Sequence, residues 1–342
     1  MDVSFWRRRH DEQDERHDGD DDLRPGRRPA LADRDGALAV LRRAVELGVR
    51  LIDTADAYAL GANEELVADA LHPYAEGVAV ATKIGVVRPS PTERIPLGNP
   101  AYLRQQAELS LRRLRVERLD LLQLHRIDPN VPLADQIGAL RQLRDEGKVR
   151  HIGLSEVTVA QLREASEITP IAAVQNMYNL LIRQLDDVVD YAAEHGIAFL
   201  PFFPIAMGGH AGPDSPVATV AREVGVTPSQ AALAWLLRRS PNIIPIPGTS
   251  SVGHLEENVT ALEVSLSDEQ FDRLSVLGGR AEAGGGQGKC HRDAPFSGAG
   301  PLRTAARRTG AVSVSRGDGG EAPVRSGRRI SASDGEAVKA GG

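Results

Sequence analysis

Leu51-Ile52-Asp53-Thr54-Ala55-Asp56-Ala57-Tyr58 decides how this chain is read. An apolar pair runs into an aspartate, and a tyrosine follows five positions later. Two further apolar runs end the same way: Val80-Ala81-Thr82-Lys83 on a lysine, and Leu121-Leu122-Gln123-Leu124-His125 on a histidine. Short apolar runs of this kind fit strands buried on both faces of a parallel sheet. In a β/α barrel, side chains at the C-terminal ends of the strands converge on one mouth. Asp53, Tyr58, Lys83 and His125 are therefore expected to form one proton-delivery site.

Each residue type has a chemical task there. A free phenol titrates at about 10 and is a poor acid at neutral pH. A nearby ammonium favours phenolate and makes the phenol a better general acid. Lys83 supplies the ammonium, and Asp53 holds Lys83 charged and in place. His125 offers a hydrogen bond to a substrate carbonyl oxygen. Together they would protonate a carbonyl as hydride arrives from a cofactor. Taken alone, Asp53 and Tyr58 are only a strand end and a turn, and a histidine in an apolar run is more often a satisfied core residue. The functional reading rests on Lys83 and His125 ending equivalent strands.

The rest of the chain bounds this reading. A β/α barrel takes about 250 residues, so a chain of 342 residues has extensions to explain. Hydrophobic content of 41% with 26% charge suits a globular core. A net charge of −6 gives no reason to expect nucleic acid or an anionic membrane as partner. Cys290 is the single cysteine, which excludes an internal disulfide and fits the reducing cytoplasm. No apolar run approaches the ~20 residues of a membrane span, and the first residues lack the apolar region of a secretory signal. No HExxH or CxxC arrangement occurs, so no metal site is expected.

Both ends are foreign in composition to the middle. Residues 1–32 are dominated by Arg, Asp, His and Glu, and residues 278–342 by Gly, Ala, Ser and Arg without periodicity. Neither buries enough apolar surface to offset chain entropy, so both are expected to be disordered, the second as a low-complexity tail. The barrel domain is assigned to 33–277. Within it, strands at 50–53, 78–82, 119–124, 149–154, 171–175, 197–201 and 242–246 alternate with helices, the pattern of a parallel sheet. Asn99-Pro100, Thr158, Thr227-Pro228 and Ser267 open helices, and Gly48 and Gly147 stop them. A (β/α)8 barrel needs one more strand. The place for it, ahead of the first helix, holds an acidic run with Pro25 and Pro29. Proline argues against a buried strand, so the barrel is expected to lack its first strand, with two edges left unpaired.

Six stretches carry a family resemblance: LIDTADAY (51–58), VAVATKIG (78–85), LDLLQLHRID (119–128), GKVRHIGLSE (147–156), AAVQNMYN (172–179) and IPIPGTSSVGHLEEN (244–258). In this order and spacing the chain resembles the aldo-keto reductase superfamily of nicotinamide-dependent carbonyl reductases, whose fold is a (β/α)8 TIM barrel. The resemblance implies reduction of an aldehyde or ketone to an alcohol, with a small-molecule carbonyl substrate and NADP(H) as cofactor, NAD(H) being the alternative. It implies that Ser155 and Gln175 hold the nicotinamide carboxamide, where the residues alone read as polar loop entries. Glu156 stands where many members have Asn, and an ionised Glu cannot donate a hydrogen bond. Phe202 falls where an aromatic ring stacks on the nicotinamide, and Pro204 and Ile205 begin the loop that covers the pyrophosphate. Gly248 and His254 replace the Lys and Arg that grip the 2′-phosphate in many relatives. Thr249, Ser250 and Ser251 still offer hydroxyls ahead of a helix start, a good phosphate site. Glu257 and Asn258 match the positions that hold the adenine amino group. Two other readings stay open: a nicotinamide-binding regulatory module without catalysis, and a truncated or frame-disrupted inactive reductase. The substrate and the oligomeric state are not legible in the sequence.

Overall fold

The computed structural model describes residues 34–90, 93–205, 212 and 214–278. In chain order these form helix α1 (Arg34–Glu46), strand β1 (Leu51–Asp53), α2 (Ala62–Leu71), β2 (Ala79–Ile84), and a short hairpin of β3 (Val86–Val87) and β4 (Ile95–Pro96). There follow α3 (Pro100–Leu114), β5 (Leu119–Leu124), α4 (Leu133–Asp145), β6 (Val149–Ser155), α5 (Val159–Ile168) and β7 (Ile171–Gln175). The last elements are α6 (Asp186–Glu194), β8 (Ala198–Phe199), α7 (Pro216–Val224), α8 (Pro228–Arg239), α9 (Val252–Thr260) and α10 (Asp268–Ser275). The helix boundaries follow their caps. Asn99 accepts hydrogen bonds from the Ala101 and Tyr102 amides, and Thr158, Thr227 and Ser267 each form a full capping box with a glutamine three residues on. Gly48 leaves α1 with φ of 89°, a conformation that costs glycine little.

Six strands pair in parallel in the order β1-β2-β5-β6-β7-β8, the sheet of a TIM-like barrel. The register explains the site. Asp53 lies beside Ala81, Lys83 beside Gln123, Gln123 beside Gly153, and Ser155 beside Gln175. Strand side chains alternate faces, so Ala81, Leu121, Ala173, Ala198 and Leu200 fill the interior with Ile246. One step toward the C-terminal ends, the same face carries Asp53, Lys83, Gln123, Ser155 and Gln175. The opposite face, with Ile52, Val80, Leu122, Ile152, Val174 and Phe199, packs into the helical layer, where Trp235 stacks between Tyr178 and Phe271.

The seventh expected strand, 242–246, is reduced to one parallel bridge between Phe199 and Ile243. The Phe199 amide donates to the Asn242 carbonyl at 2.9 Å and the Ile244 amide to the Phe199 carbonyl at 2.8 Å. Pro245 and Pro247 follow without N–H groups, which ends the ladder. Among the described residues β1 has β2 as its one strand neighbour, and no described strand lies between β1 and Ile243. Two helices meet on that side. Val40 and Ala44 of α1 pack on Leu255 of α9, and Arg43 Nε meets Glu256 Oε1 at 2.8 Å. The expected first-strand region, the low-complexity tail and Cys290 lie outside the described residues.

Candidate active site

The loop after β1 is laid over the end of β2. The Thr54 amide donates to the Ala81 carbonyl at 2.8 Å and the Asp56 amide to the Lys83 carbonyl at 3.0 Å. The Thr54 hydroxyl donates to Asn63 Oδ1 at 2.6 Å, tying the loop to α2. Ala59 and Leu60, with φ of 50° and 54°, then turn the chain sharply behind Tyr58. Left-handed backbone costs a non-glycine residue about 1 kcal/mol or more, and such turns recur where a side chain must be aimed.

Four polar groups converge there. Lys83 is fully buried, and its Nζ contacts Asp53 Oδ2 at 2.5 Å and donates to the Thr54 carbonyl at 2.8 Å. The same Nζ lies 4.8 Å from the centre of the Tyr58 ring. The Tyr58 and His125 rings meet edge to face with centroids 5.8 Å apart. Gln175 Nε2 donates to Asp53 Oδ1 at 2.9 Å, and Gln123 Nε2 reaches the same oxygen at 3.4 Å. Gly153 makes room for Gln123: a Cβ there would stand 2.9 Å from the Gln123 Cγ. Burial draws the Lys83 ammonium down, but the charges of Asp53 and of the Tyr58 oxygen outweigh it and hold Lys83 above its ordinary value. His125 is pushed well below the usual imidazole range by burial, then by the cations Lys83, Arg126 and Arg94. Its ring is therefore neutral, and its Nδ1 is buried without a partner among the described residues.

The expected cofactor residues line the same end of the sheet. Ser155 and Gln175 are buried neighbours on β6 and β7. The Ser155 hydroxyl accepts from Arg126 Nη1 at 3.1 Å and retains its own proton to donate. Glu156 has φ of 57°, the left-handed region that Asn tolerates better than Glu. Its carboxylate is engaged, accepting from the Met177 amide at 2.8 Å. Phe202 pairs with Met177 beyond the ends of β7 and β8 and touches Phe203, while Pro204 and Ile205 are buried behind it. Gly248 and Thr249 are buried, Ser250 is exposed, and Ser251 caps α9 by accepting from the His254 amide. Asn258 is buried on α9. Glu257 differs from the rest: one of its oxygens already accepts from the Thr227 hydroxyl at 2.6 Å, which ties it to the start of α8. Among the described residues no group of three His, Cys, Asp or Glu could hold a metal ion, and no helix is long and apolar enough to cross a membrane.

The sequence does not single out a second cluster beneath Tyr58. Glu64 is fully buried, accepts from the Thr82 hydroxyl at 2.6 Å, and lies 2.8 Å from Arg113 Nε. Asp56 is buried beside it, with Oδ1 unpartnered among the described residues. Burial and the Glu64 charge push the Asp56 carboxyl up to about 8, against the pull of the Ala57 amide, Arg113 and Lys83. In the unfolded chain an aspartate titrates at about 4. Asp56 thus binds its proton more tightly when folded, and its contribution to stability is lost as pH rises from about 4 to about 8. At 1.36 kcal/mol per pKa unit this reaches about 5 kcal/mol at most. Asp56→Asn should flatten the decline. In urea unfolding at pH 5 and pH 8.5, the variant is expected to gain about 2–4 kcal/mol on the parent between the two. Parallel stability curves would refute the assignment.

Known proteins resemble this chain in both sequence and fold. Residues 24–277 match the Aldo/keto reductase family, a match that begins upstream of residue 33. The chain is 45% identical over 251 residues to an uncharacterized oxidoreductase of Schizosaccharomyces pombe, covering 73% of this chain and 82% of that one. It is 42% identical over 252 residues to pyridoxine 4-dehydrogenase of Escherichia coli, covering 72% and 87%. The fold is similar to an aldo-keto reductase of Klebsiella pneumoniae solved in complex with NADPH, with a TM-score of 0.64 and 28% identity over 72% of this chain and 86% of that one. It is also similar to a glycerol dehydrogenase of Gluconobacter oxydans, with a TM-score of 0.69 and 26% identity over 76% and 90%. The chain belongs to the aldo-keto reductase family of oxidoreductases.

Proposed function

We propose that this chain reduces an aldehyde or ketone to the corresponding alcohol with NADP(H), using Tyr58 as the general acid. The observation that carries the reading is the single ammonium of Lys83, buried between the Asp53 carboxylate and the Tyr58 ring with His125 at the ring's edge. The catalytic domain is assigned to 33–277 and the place of action to the cytoplasm, on the strength of the single cysteine.

The residues present fit the cofactor. The Ser155 hydroxyl can donate to a carboxamide oxygen. Gln175, with its NH2 committed to Asp53, keeps its carbonyl oxygen to accept from a carboxamide N–H. Thr249, Ser250, Ser251 and the first amides of α9 suit phosphate. When bound, the cofactor supplies hydride to the carbonyl carbon. As the carbonyl π electrons move onto oxygen, the Tyr58 phenol gives that oxygen its proton. Lys83 stabilises the phenolate left behind, Asp53 keeps Lys83 charged, and solvent returns the proton to Tyr58. Neutral His125 has one N–H to orient the carbonyl oxygen.

The test measures binding and turnover together. NADPH is expected to bind about three- to tenfold more tightly than NADH, about 1 kcal/mol, because hydroxyls and amides replace the usual cations. Fluorescence titration reads this, and a carbonyl-reduction assay separates an enzyme from a regulatory module. Equal affinities would refute the preference, and cofactor binding without turnover of any aldehyde would favour the module.

A further inference from the structure

We propose that Arg126 is a specificity-determining residue that receives an anionic group on the substrate, so that the preferred carbonyl compounds carry a carboxylate or phosphate. This rests on the reductase reading above and names the substrate class of that site.

Arg126 follows His125 directly and stands half-buried at the mouth. Its Nη1 donates to the His125 carbonyl at 2.6 Å and to the Ser155 hydroxyl at 3.1 Å, which pins the guanidinium between the ends of β5 and β6. The other edge, Nε with Nη2, has no partner among the described residues. That edge is the two-pronged donor that takes a carboxylate or phosphate by parallel hydrogen bonds.

Three other part-buried arginines have carboxylate partners, while Arg50 is held by the Val45 and Val49 carbonyls. Arg113 meets Glu64 at 2.8 Å, Arg183 meets Asp186 at 2.7 Å, and Arg239 meets Asp190 at 2.8 Å. Arg126 has no ion pair among the described residues, although removing a cation from water is costly without one. The nearby acids are committed elsewhere, Asp53 to Lys83 and Glu156 to the Met177 amide. Burial lowers the Arg126 guanidinium below its ordinary value, and Glu156 and Tyr58 oppose this only in part. Lys83, Arg126 and Arg94 lie close enough to add to the burial that keeps His125 neutral. An anion carried beside the reacting carbonyl would fill the open fork and balance its charge.

The experiment compares kcat/KM for 4-carboxybenzaldehyde with that for its methyl ester, and for glyceraldehyde 3-phosphate with that for glyceraldehyde. The parent enzyme should favour at least one anionic member by about tenfold or more, and the larger ratio identifies the anion. Arg126→Leu should collapse that ratio to near one, with the loss in KM. Arg126→Lys, which keeps the charge without the fork, should fall between. Calorimetric binding of 4-carboxybenzyl alcohol and benzyl alcohol to the full chain, with and without NADP+, reads the same preference without turnover. If no aldehyde is reduced, the reductase reading fails while the binding ratio still decides the anion site. A parent enzyme indifferent to the anion in both assays, or a ratio that Arg126→Leu leaves within twofold, would overturn the proposal.

Discussion

Tyr58→Phe is expected to lower the rate of carbonyl reduction by about 10²–10⁴-fold, the usual worth of a positioned acid. Cofactor affinity should stay within about twofold, a change of under 1 kcal/mol. Phenylalanine keeps the ring that lies 4.8 Å from Lys83 Nζ and meets His125 edge to face. It removes only the hydroxyl, and with it the proton to be given. Loss of activity with retained binding therefore isolates proton transfer from folding and from cofactor capture.

Removing the ammonium has a second large effect, this time on the fold as well. Lys83→Met leaves the Asp53 carboxylate 3% exposed, with Oδ2 deprived of its 2.5 Å partner. Gln175 and Gln123 reach only Oδ1. A buried charge stripped of its partner costs about 3–5 kcal/mol, whereas replacing both partners by apolar groups is often neutral or better. Lys83→Met alone should therefore destabilise by about that amount in urea unfolding. Asp53→Leu with Lys83→Met should recover most of it. Neither variant should reduce a carbonyl at more than about a hundredth of the parent rate. A single substitution costing under about 1 kcal/mol, or an active double variant, would contradict this account of the pair.

Much of this site is written in local patterns. Asp53, Lys83, His125, Ser155 and Gln175 are legible because each closes an apolar run, and the two-residue repeat of a strand puts them on one face. The shrinking of 242–246 to a single bridge had its signal in Pro245 and Pro247, which compete with the apolar character of Ile243, Ile244 and Ile246. Helix α7 also had a signal, in Ser215-Pro216 and Gly225. What stays hidden depends on contacts far apart in the chain. Gln123 looks like a flaw in an apolar strand until the register sets it beside Gly153 and within reach of Asp53, 70 residues away. Arg126 looks like a solvated loop residue until β6 brings Ser155 to it. The packing of α1 on α9 joins Arg43 to Glu256, 213 positions on, and no local periodicity encodes that.

The central claim is that the Asp53, Tyr58, Lys83 and His125 cluster delivers a proton to a carbonyl oxygen while its carbon receives hydride. The most direct test supplies an aldehyde with NADPH deuterated at the transferable position and follows the alcohol by mass spectrometry, for the parent and for Tyr58→Phe. The parent should place one carbon-bound deuterium in each alcohol formed, and Tyr58→Phe should form alcohol at least about a hundredfold more slowly while still binding the cofactor. Alcohol without deuterium, or labelled alcohol formed equally fast by Tyr58→Phe, would contradict the account.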